Sequence, residues 1–226
     1  MNLPPATNRR ALLGGLGLSA AALTLPGCAS YGGFSFTEAI RRLLTLSSTR
    51  AFDRLLAENG FYESQVARLQ LDQFLGARGG ILSSILTSGI VKDRLFRGLA
   101  DVAATGAERA APVVADTIRM VGIQNAAALI SGQPTAATSF LRNNMGQRLV
   151  EVMVPEIGDA LDLVSDPVVG PALSALAGTN LQNVVYGLTD VAEETIWTEM
   201  GNEEAYIREN PRSTNDPVLI GVFGIA

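Results

Sequence analysis

The chain lacks histidine entirely and has one cysteine, one lysine and one tryptophan among its 226 residues. Without histidine there is no Ser-His-Asp or Cys-His catalytic set and no imidazole ligand for a metal ion. A single cysteine excludes an intrachain disulfide and a cysteine-based zinc or iron–sulfur site. The sequence therefore predicts no metal and no cofactor, and it leaves carboxylates as the main candidates for any chemistry.

A cluster of basic residues is also missing. The formal net charge is −5, and the basic residues, all arginine except Lys92, are spread along the chain. Proteins that hold nucleic acid neutralise several phosphates with a basic patch or stripe. Nucleic acid is therefore not an expected partner.

The first 27 residues have the layout of an export signal. Arg9 and Arg10 precede an uncharged run from Ala11 to Leu25, as in a secretory signal peptide. As a helix that run would be about 22 Å long, short of a hydrocarbon core of about 30 Å. We therefore predict a signal peptide over residues 1–27. The arginine pair resembles the twin-arginine export motif, and the general secretory route stays open as the alternative.

Cys28 directly follows this segment. The residues Leu25–Cys28 read Leu-Pro-Gly-Cys and resemble a bacterial lipobox, in which the cysteine thiol receives a diacylglycerol before the preceding bond is cut. Ala29 fits the pattern that sorts lipoproteins to the outer membrane. We expect acyl chains on Cys28 to hold the protein at the periplasmic face of that membrane. The alternative is a free thiol after an ordinary signal peptide.

The rest of the chain predicts one all-α domain over residues 35–226, joined to Cys28 by a tether over 28–34. Apolar and small residues recur every three or four positions from Val91 to Val121, which indicates one long central helix. Pro112 is expected to bend it. Alanine and glycine in its middle should let another helix approach closely.

Shorter helices are predicted on both sides of the central one. The first should begin after Ser35, which stands three residues before Glu38 in capping-box spacing, and end at Asn59-Gly60. Residues 62–80 indicate a turn and a short helix. The remaining helices are expected over 123–131, 134–152, 156–163, about 170–177, and 181–209, the last with a break near Gly201.

Two stretches resemble the pattern of a known family. The central stretch comprises Ala107-Glu108, Ala110–Pro112, Ile118, Met120, Ala126, Ile130, Gly132, Ala136–Thr138, Phe140 and Arg142. The C-terminal stretch comprises Glu204, Ile207-Arg208, Asn210-Pro211, Leu219 and Val222–Gly224. The chain is thus similar to the proteobacterial family catalogued as domain of unknown function 4197. The resemblance implies an exported helical protein, often a lipoprotein, with no assigned activity.

Two pairs of charged residues are candidate site residues. Glu108 and Arg109 stand beside central-helix positions expected to be buried, where a carboxylate must be paired. They are interpreted as a structural bridge or as the floor of a pocket. Glu204 and Arg208 are four residues apart in the acid-first order that favours a helical ion pair. They are either a brace at the helix end or an anion-binding arginine held by its glutamate.

The last predicted helix carries a cluster of acids: Asp190, Glu193, Glu194, Glu199, Glu203, Glu204 and Glu209. We expect a solvated face, because one ion cannot reach acids several turns apart on a straight helix. Trp197 should lie in a core stripe with Ile196, Met200 and Ile207.

These observations favour a non-enzymatic, lipid-anchored helical domain in the periplasm. It would act in envelope maintenance by binding a protein partner or an apolar ligand. The alternative is a periplasmic hydrolase that uses carboxylates such as Glu108 or the pair Glu203 and Glu204.

Overall fold

A computed structural model describes residues 30–31, 34–76, 89–162, 170–171, 174 and 181–224. The strands are β1 (Ser30–Tyr31) and β2 (Phe34–Ser35), which pair antiparallel. The helices are α1 (Phe36–Leu55), α2 (Gly60–Glu63), α3 (Gln65–Gly76), α4 (Gly89–Met120), α5 (Ala126–Ile130), α6 (Ala136–Met145), α7 (Arg148–Asp162), α8 (Leu181–Glu209) and α9 (Pro217–Phe223), with a 3-10 helix at Pro211–Thr214. The predicted all-α class is confirmed. The signal peptide, Cys28 and most of the helix expected at 170–177 lie outside the described residues.

The long central helix is confirmed as α4. It spans 32 residues, about 48 Å at 1.5 Å per residue, and its apolar stripe packs against α1, α7 and α8. At Gly106 a Cβ atom would lie 2.7 Å from Cγ1 of Ile157 on α7. The small residues of α4 therefore do admit a neighbouring helix at close range, as predicted.

Two prolines lie inside helices without ending them. Pro112 in α4 and Pro155 in α7 are both on exposed positions, where water can hydrate the carbonyl group that loses its partner. The helix break predicted between residues 152 and 156 does not occur, because α7 is continuous there. The chain turns instead at Gly146, whose φ is +55°, so α6 ends before it and α7 begins after it.

The start of α1 is confirmed, but its predicted capping box is wrong. The Ser35 side chain makes no capping hydrogen bond, and Ser35 belongs to β2. Glu38 instead accepts a 2.7 Å hydrogen bond from Arg42 Nε. The helix ends at Leu55, a few residues before the predicted stop at Asn59-Gly60.

The long helix near the C-terminus, α8, carries most of the site described below. Helix α8 is continuous over 29 residues, so the break expected near Gly201 does not occur. A Cβ atom at Gly201 would lie 3.1 Å from Cγ2 of Thr135, so the glycine lets the start of α6 approach α8. The predicted core stripe is confirmed, since Ile196, Trp197, Met200 and Ile207 are all buried.

Arg41 joins α1 to the C-terminal end of α4. Its guanidinium donates hydrogen bonds to the carbonyl oxygens of Ile118 and Arg119, the latter at 2.7 Å. A cation is favourable there because the last carbonyl groups of a helix carry partial negative charge. None of the described helices combines the length and the apolar composition needed to cross a membrane.

Candidate functional site

Glu204 on α8 is a fully buried carboxylate that caps a different helix. It accepts hydrogen bonds from the backbone N–H groups of Ala137, at 2.9 Å, and Thr138, at 2.6 Å. These groups belong to the first turn of α6, where the partial positive charge of a helix terminus favours an anion. Arg208 donates to the same carboxylate from Nε at 2.9 Å and Nη2 at 2.6 Å.

Arg208 connects this carboxylate to two further elements. Its Nη2 and Nη1 atoms donate to the carbonyl oxygens of Leu129, at 2.9 Å, and Ile130, at 2.8 Å, at the end of α5. Its guanidinium lies 4.9 Å from the ring centre of Phe223 on α9. The pair thus ties α5, α6, α8 and α9 together, which is the geometry of a brace.

The solvated face expected on α8 is wrong for three of its acids. Glu199 and Glu203 are each only 6% exposed, and Glu204 is fully buried. Ser64 Oγ donates to Glu199 at 2.8 Å, and Arg54 on α1 binds both Glu199 and Glu203. Their partners are distant in sequence, so the helical pattern of α8 alone did not indicate burial.

A third group of charges lies earlier on α8, before Glu199, and is centred on Arg142 of α6. Arg142 Nη2 donates to Glu193 at 3.0 Å and to Glu194 at 2.8 Å, and Trp197 Nε1 donates to Glu193 at 2.7 Å. Burial lowers the pKa of Arg142, but the hydrogen bonds and charges of the two carboxylates outweigh it and leave that pKa above its ordinary value. The guanidinium therefore stays charged and paired.

Beside Arg142, α6 and α8 form an open cleft of about 230 Å³. It is lined by Thr135, Thr138, Ser139, Arg142, Trp197, Thr198, Gly201 and Asn202. No carboxylate lines it. Thr138 is 4% exposed, and its Oγ1 atom has no hydrogen-bond partner among the described residues. We refer to this feature as the α6–α8 pocket.

The sequence contains a helical pattern of polar residues at this pocket. Thr135, Thr138, Ser139 and Arg142 are spaced at i, i+3, i+4 and i+7, which places four polar side chains on one face of a helix. A polar stripe at helical spacing is typical of a solvated face, so the pattern did not by itself indicate a pocket.

Two open grooves flank the C-terminal segment. One, of about 380 Å³, lies between α1 and the start of α9 and includes Arg41, Arg42 and Asp216. The other, of about 460 Å³, follows the end of α8 and includes Tyr206 and Phe223. Like the α6–α8 pocket, both are open clefts, and the described residues that line them include no unpartnered buried polar side-chain atom.

The structure places Glu108 and Arg109 differently from the expectation. Glu108 is exposed, because the small residues that pack inward lie on the other side of α4. Arg109 Nε pairs with Glu156 of α7 at 2.9 Å, with side chains 63% and 31% exposed. The predicted buried bridge at Glu108 is therefore wrong, and the surface pair belongs to its neighbour.

The remaining sequence-predicted residues, Cys28, Arg9 and Arg10, lie outside the described ranges. In the part of the chain that the structure describes, no three acidic or other ligating side chains form a group suited to a metal ion.

Comparison with known proteins gives one match. Neither the curated proteins nor the solved structures contain a significant match. A family profile, however, matches residues 30–224, a range that contains every described helix, the brace and the α6–α8 pocket. The chain therefore belongs to the family described as "Protein of unknown function (DUF4197)".

Proposed function

We propose that this chain is a lipid-anchored, non-enzymatic protein of the periplasmic face of the outer membrane, and that it acts in envelope maintenance by binding a ligand or a protein partner. The anchoring part of the proposal is supported by the sequence of the first 29 residues. A basic pair, a short apolar run and the Leu-Pro-Gly-Cys segment ending at Cys28 follow in the order of a lipoprotein signal. The helical domain begins at Phe36, so only a short tether would separate it from the bilayer.

The observation that supports binding over catalysis is the pairing of the buried acids. A general acid or base must exchange a proton with a substrate and needs access to it. Glu204 instead receives four hydrogen bonds from protein groups. Glu199 and Glu203 share Arg54. The buried carboxylates that the hydrolase alternative would use are therefore already paired with other groups of the protein.

Glu108 does not restore the hydrolase alternative. It is exposed on the surface of α4 and lines none of the three clefts described above. The residues that line the α6–α8 pocket do not include an acid. The pocket can hold a ligand by hydrogen bonds but offers no carboxylate for the hydrolase alternative.

Fractionation of cells that express single variants tests the anchoring. Wild-type protein is expected with the outer membrane, and Cys28→Ser is expected to be absent from it, because the variant lacks the thiol that is acylated before the signal peptide is cut. Ala29→Asp is the matched control, which should keep the anchor and move the protein to the inner membrane. Cys28→Ser that still fractionates with the outer membrane would contradict the anchor. Crosslinking in whole cells would then test for a bound envelope protein.

A further inference from the structure

The proposed anchor at Cys28 and the start of α1 must lie close together. Even fully extended, the chain from Cys28 to Phe36 spans at most about 29 Å, at about 3.6 Å per residue. The pairing of β1 with β2 shortens this reach, because it sets Ser30 beside Ser35, and Cys28 stands only two residues before Ser30. Acyl chains on Cys28 would therefore hold the start of α1 next to the bilayer.

The direction of α1 determines which end of the domain would face that bilayer. Arg41, near the start of α1, binds the carbonyl groups of Ile118 and Arg119 at the end of α4. Tyr62, which follows the end of α1, donates a hydrogen bond to Asp93 near the start of α4. Helices α1 and α4 are therefore antiparallel. The end of α4 lies at the anchored end of the domain, and its start lies about 48 Å away along the helix.

The surface at the anchored end is uncharged. No charged residue occurs from Met120 to Leu141, although charged residues make up 17% of the sequence. The turn after α4, residues 121–125, and the positions Ala127 and Ala128 in α5 are partly or fully exposed. Such a surface can enter the headgroup region of a bilayer without the cost of removing water from an ion.

Three acids at the same end of the domain are each paired with an arginine. Glu38 and Asp216 both contact Arg42, at 2.7 and 3.0 Å, and Asp116 pairs with Arg119. Anionic phospholipids repel unpaired acids and attract arginine. These charges therefore do not oppose the approach of this end to a phospholipid surface.

Met120 supplies an apolar side chain at this end. It is the last residue of α4 and is 70% exposed, and such a side chain gains free energy when it leaves water. A weak contact is sufficient, because the anchor makes it intramolecular. We propose that the turn after α4 lies on the phospholipid leaflet that holds the acyl chains, with the Met120 side chain inserted in it. This inference rests on the proposed anchor and identifies the face of the domain that meets the membrane.

The chain offers a matched pair of positions for the test. Ile90 is 74% exposed and lies on the same helix as Met120, at its other end. Met120→Cys and Ile90→Cys are each prepared as the acylated protein, labelled with a thiol-reactive fluorophore and reconstituted in vesicles of phosphatidylethanolamine and phosphatidylglycerol. Both side chains are exposed, so neither change should disturb the fold. A nitroxide-bearing phospholipid in the vesicles should reduce the emission at position 120 several-fold and leave the emission at position 90 unchanged.

Flotation of the same vesicles tests the anchor separately. The wild-type protein, whose only cysteine is Cys28, should float with the vesicles and take up no label, because its thiol is acylated. Floating protein with no quenching at position 120, or with equal quenching at both positions, would overturn the proposed contact and leave the anchor standing. Protein that does not float would overturn the anchor, and the contact with it.

Discussion

The carboxylate of Glu204 and the guanidinium of Arg208 meet at 2.6 Å, with side chains that are 0% and 9% exposed. One helical turn on α8 separates them, and the pair holds the start of α6 and the end of α5. The exposed pair of Arg109 and Glu156 has a similar distance, 2.9 Å. Because the two ion pairs have similar distances but different burial, a comparison of them shows how burial changes the contribution of an ion pair to stability.

Arg208→Met should be strongly destabilising, because it leaves Glu204 as a buried charge without its cation. We expect a loss of about 3–5 kcal/mol in the free energy of unfolding. Arg109→Met should cost no more than about 1 kcal/mol, as is typical of a surface pair. Urea unfolding of the three proteins measures both losses, and equal losses would show that Glu204 and Arg208 do not form a brace.

The sequence predicted the long helices better than it predicted the fate of their charges. Apolar spacing was sufficient for α4 and α8 because a core stripe is a local pattern that repeats over many turns. The burial of Glu199 depends on Ser64 and Arg54, which are 135 and 145 residues away. A long-range ion pair leaves no periodic signal, so the same acids read as a solvated face.

The position of the break between α6 and α7 also could not be predicted from the sequence alone. The sequence predicted a helix end at 152 and a new start at 156, yet Pro155 lies on an exposed position within α7 and the break occurs at Gly146. Whether a proline ends a helix depends on which side of the helix it occupies, and that depends on tertiary packing. Likewise, the exposure of Glu108 depends on which face of α4 meets α7.

The close contact of α4 with α7 predicts opposite results for two helical glycines. A Cβ atom at Gly158 would meet nothing within 4 Å, whereas one at Gly106 would lie 2.7 Å from Ile157. Gly158→Ala should therefore stabilise the protein by roughly 1 kcal/mol through helix propensity. Gly106→Ala should be less stable than Gly158→Ala by about 1–3 kcal/mol because of overpacking. Thermal unfolding compares them, and a similar gain in both would argue against the close contact.

Asp216 should make the stability of the C-terminal segment depend on pH. Its carboxylate caps α9 through Val218 N–H at 2.8 Å and accepts from Arg42 at 3.0 Å. Burial raises the pKa of Asp216, but these hydrogen bonds outweigh it and lower that pKa below its ordinary value. The stabilisation is therefore complete above about pH 4, the unfolded value, and is lost as the pH falls through the lower folded value.

Asp216→Asn and Asp216→Ala test this dependence. Asparagine keeps a cap acceptor and removes the charge, so it should cost at most about 1 kcal/mol at pH 7. Alanine also removes the cap and should cost about 0.5–2 kcal/mol. In melting curves recorded from pH 7 downward, the deficit of the asparagine variant should shrink below pH 4. A deficit that stays constant with pH would exclude the ionised carboxylate as its cause.

Native mass spectrometry of residues 29–226, exported to the periplasm and purified without detergent, tests the proposed binding function most directly. The account predicts a non-covalent mass above that of the polypeptide, lost when the protein is denatured. A small added mass would identify the class of ligand, and an added mass of protein size would indicate a protein partner. The bare polypeptide mass in every preparation would contradict the claim that this domain acts by holding a ligand.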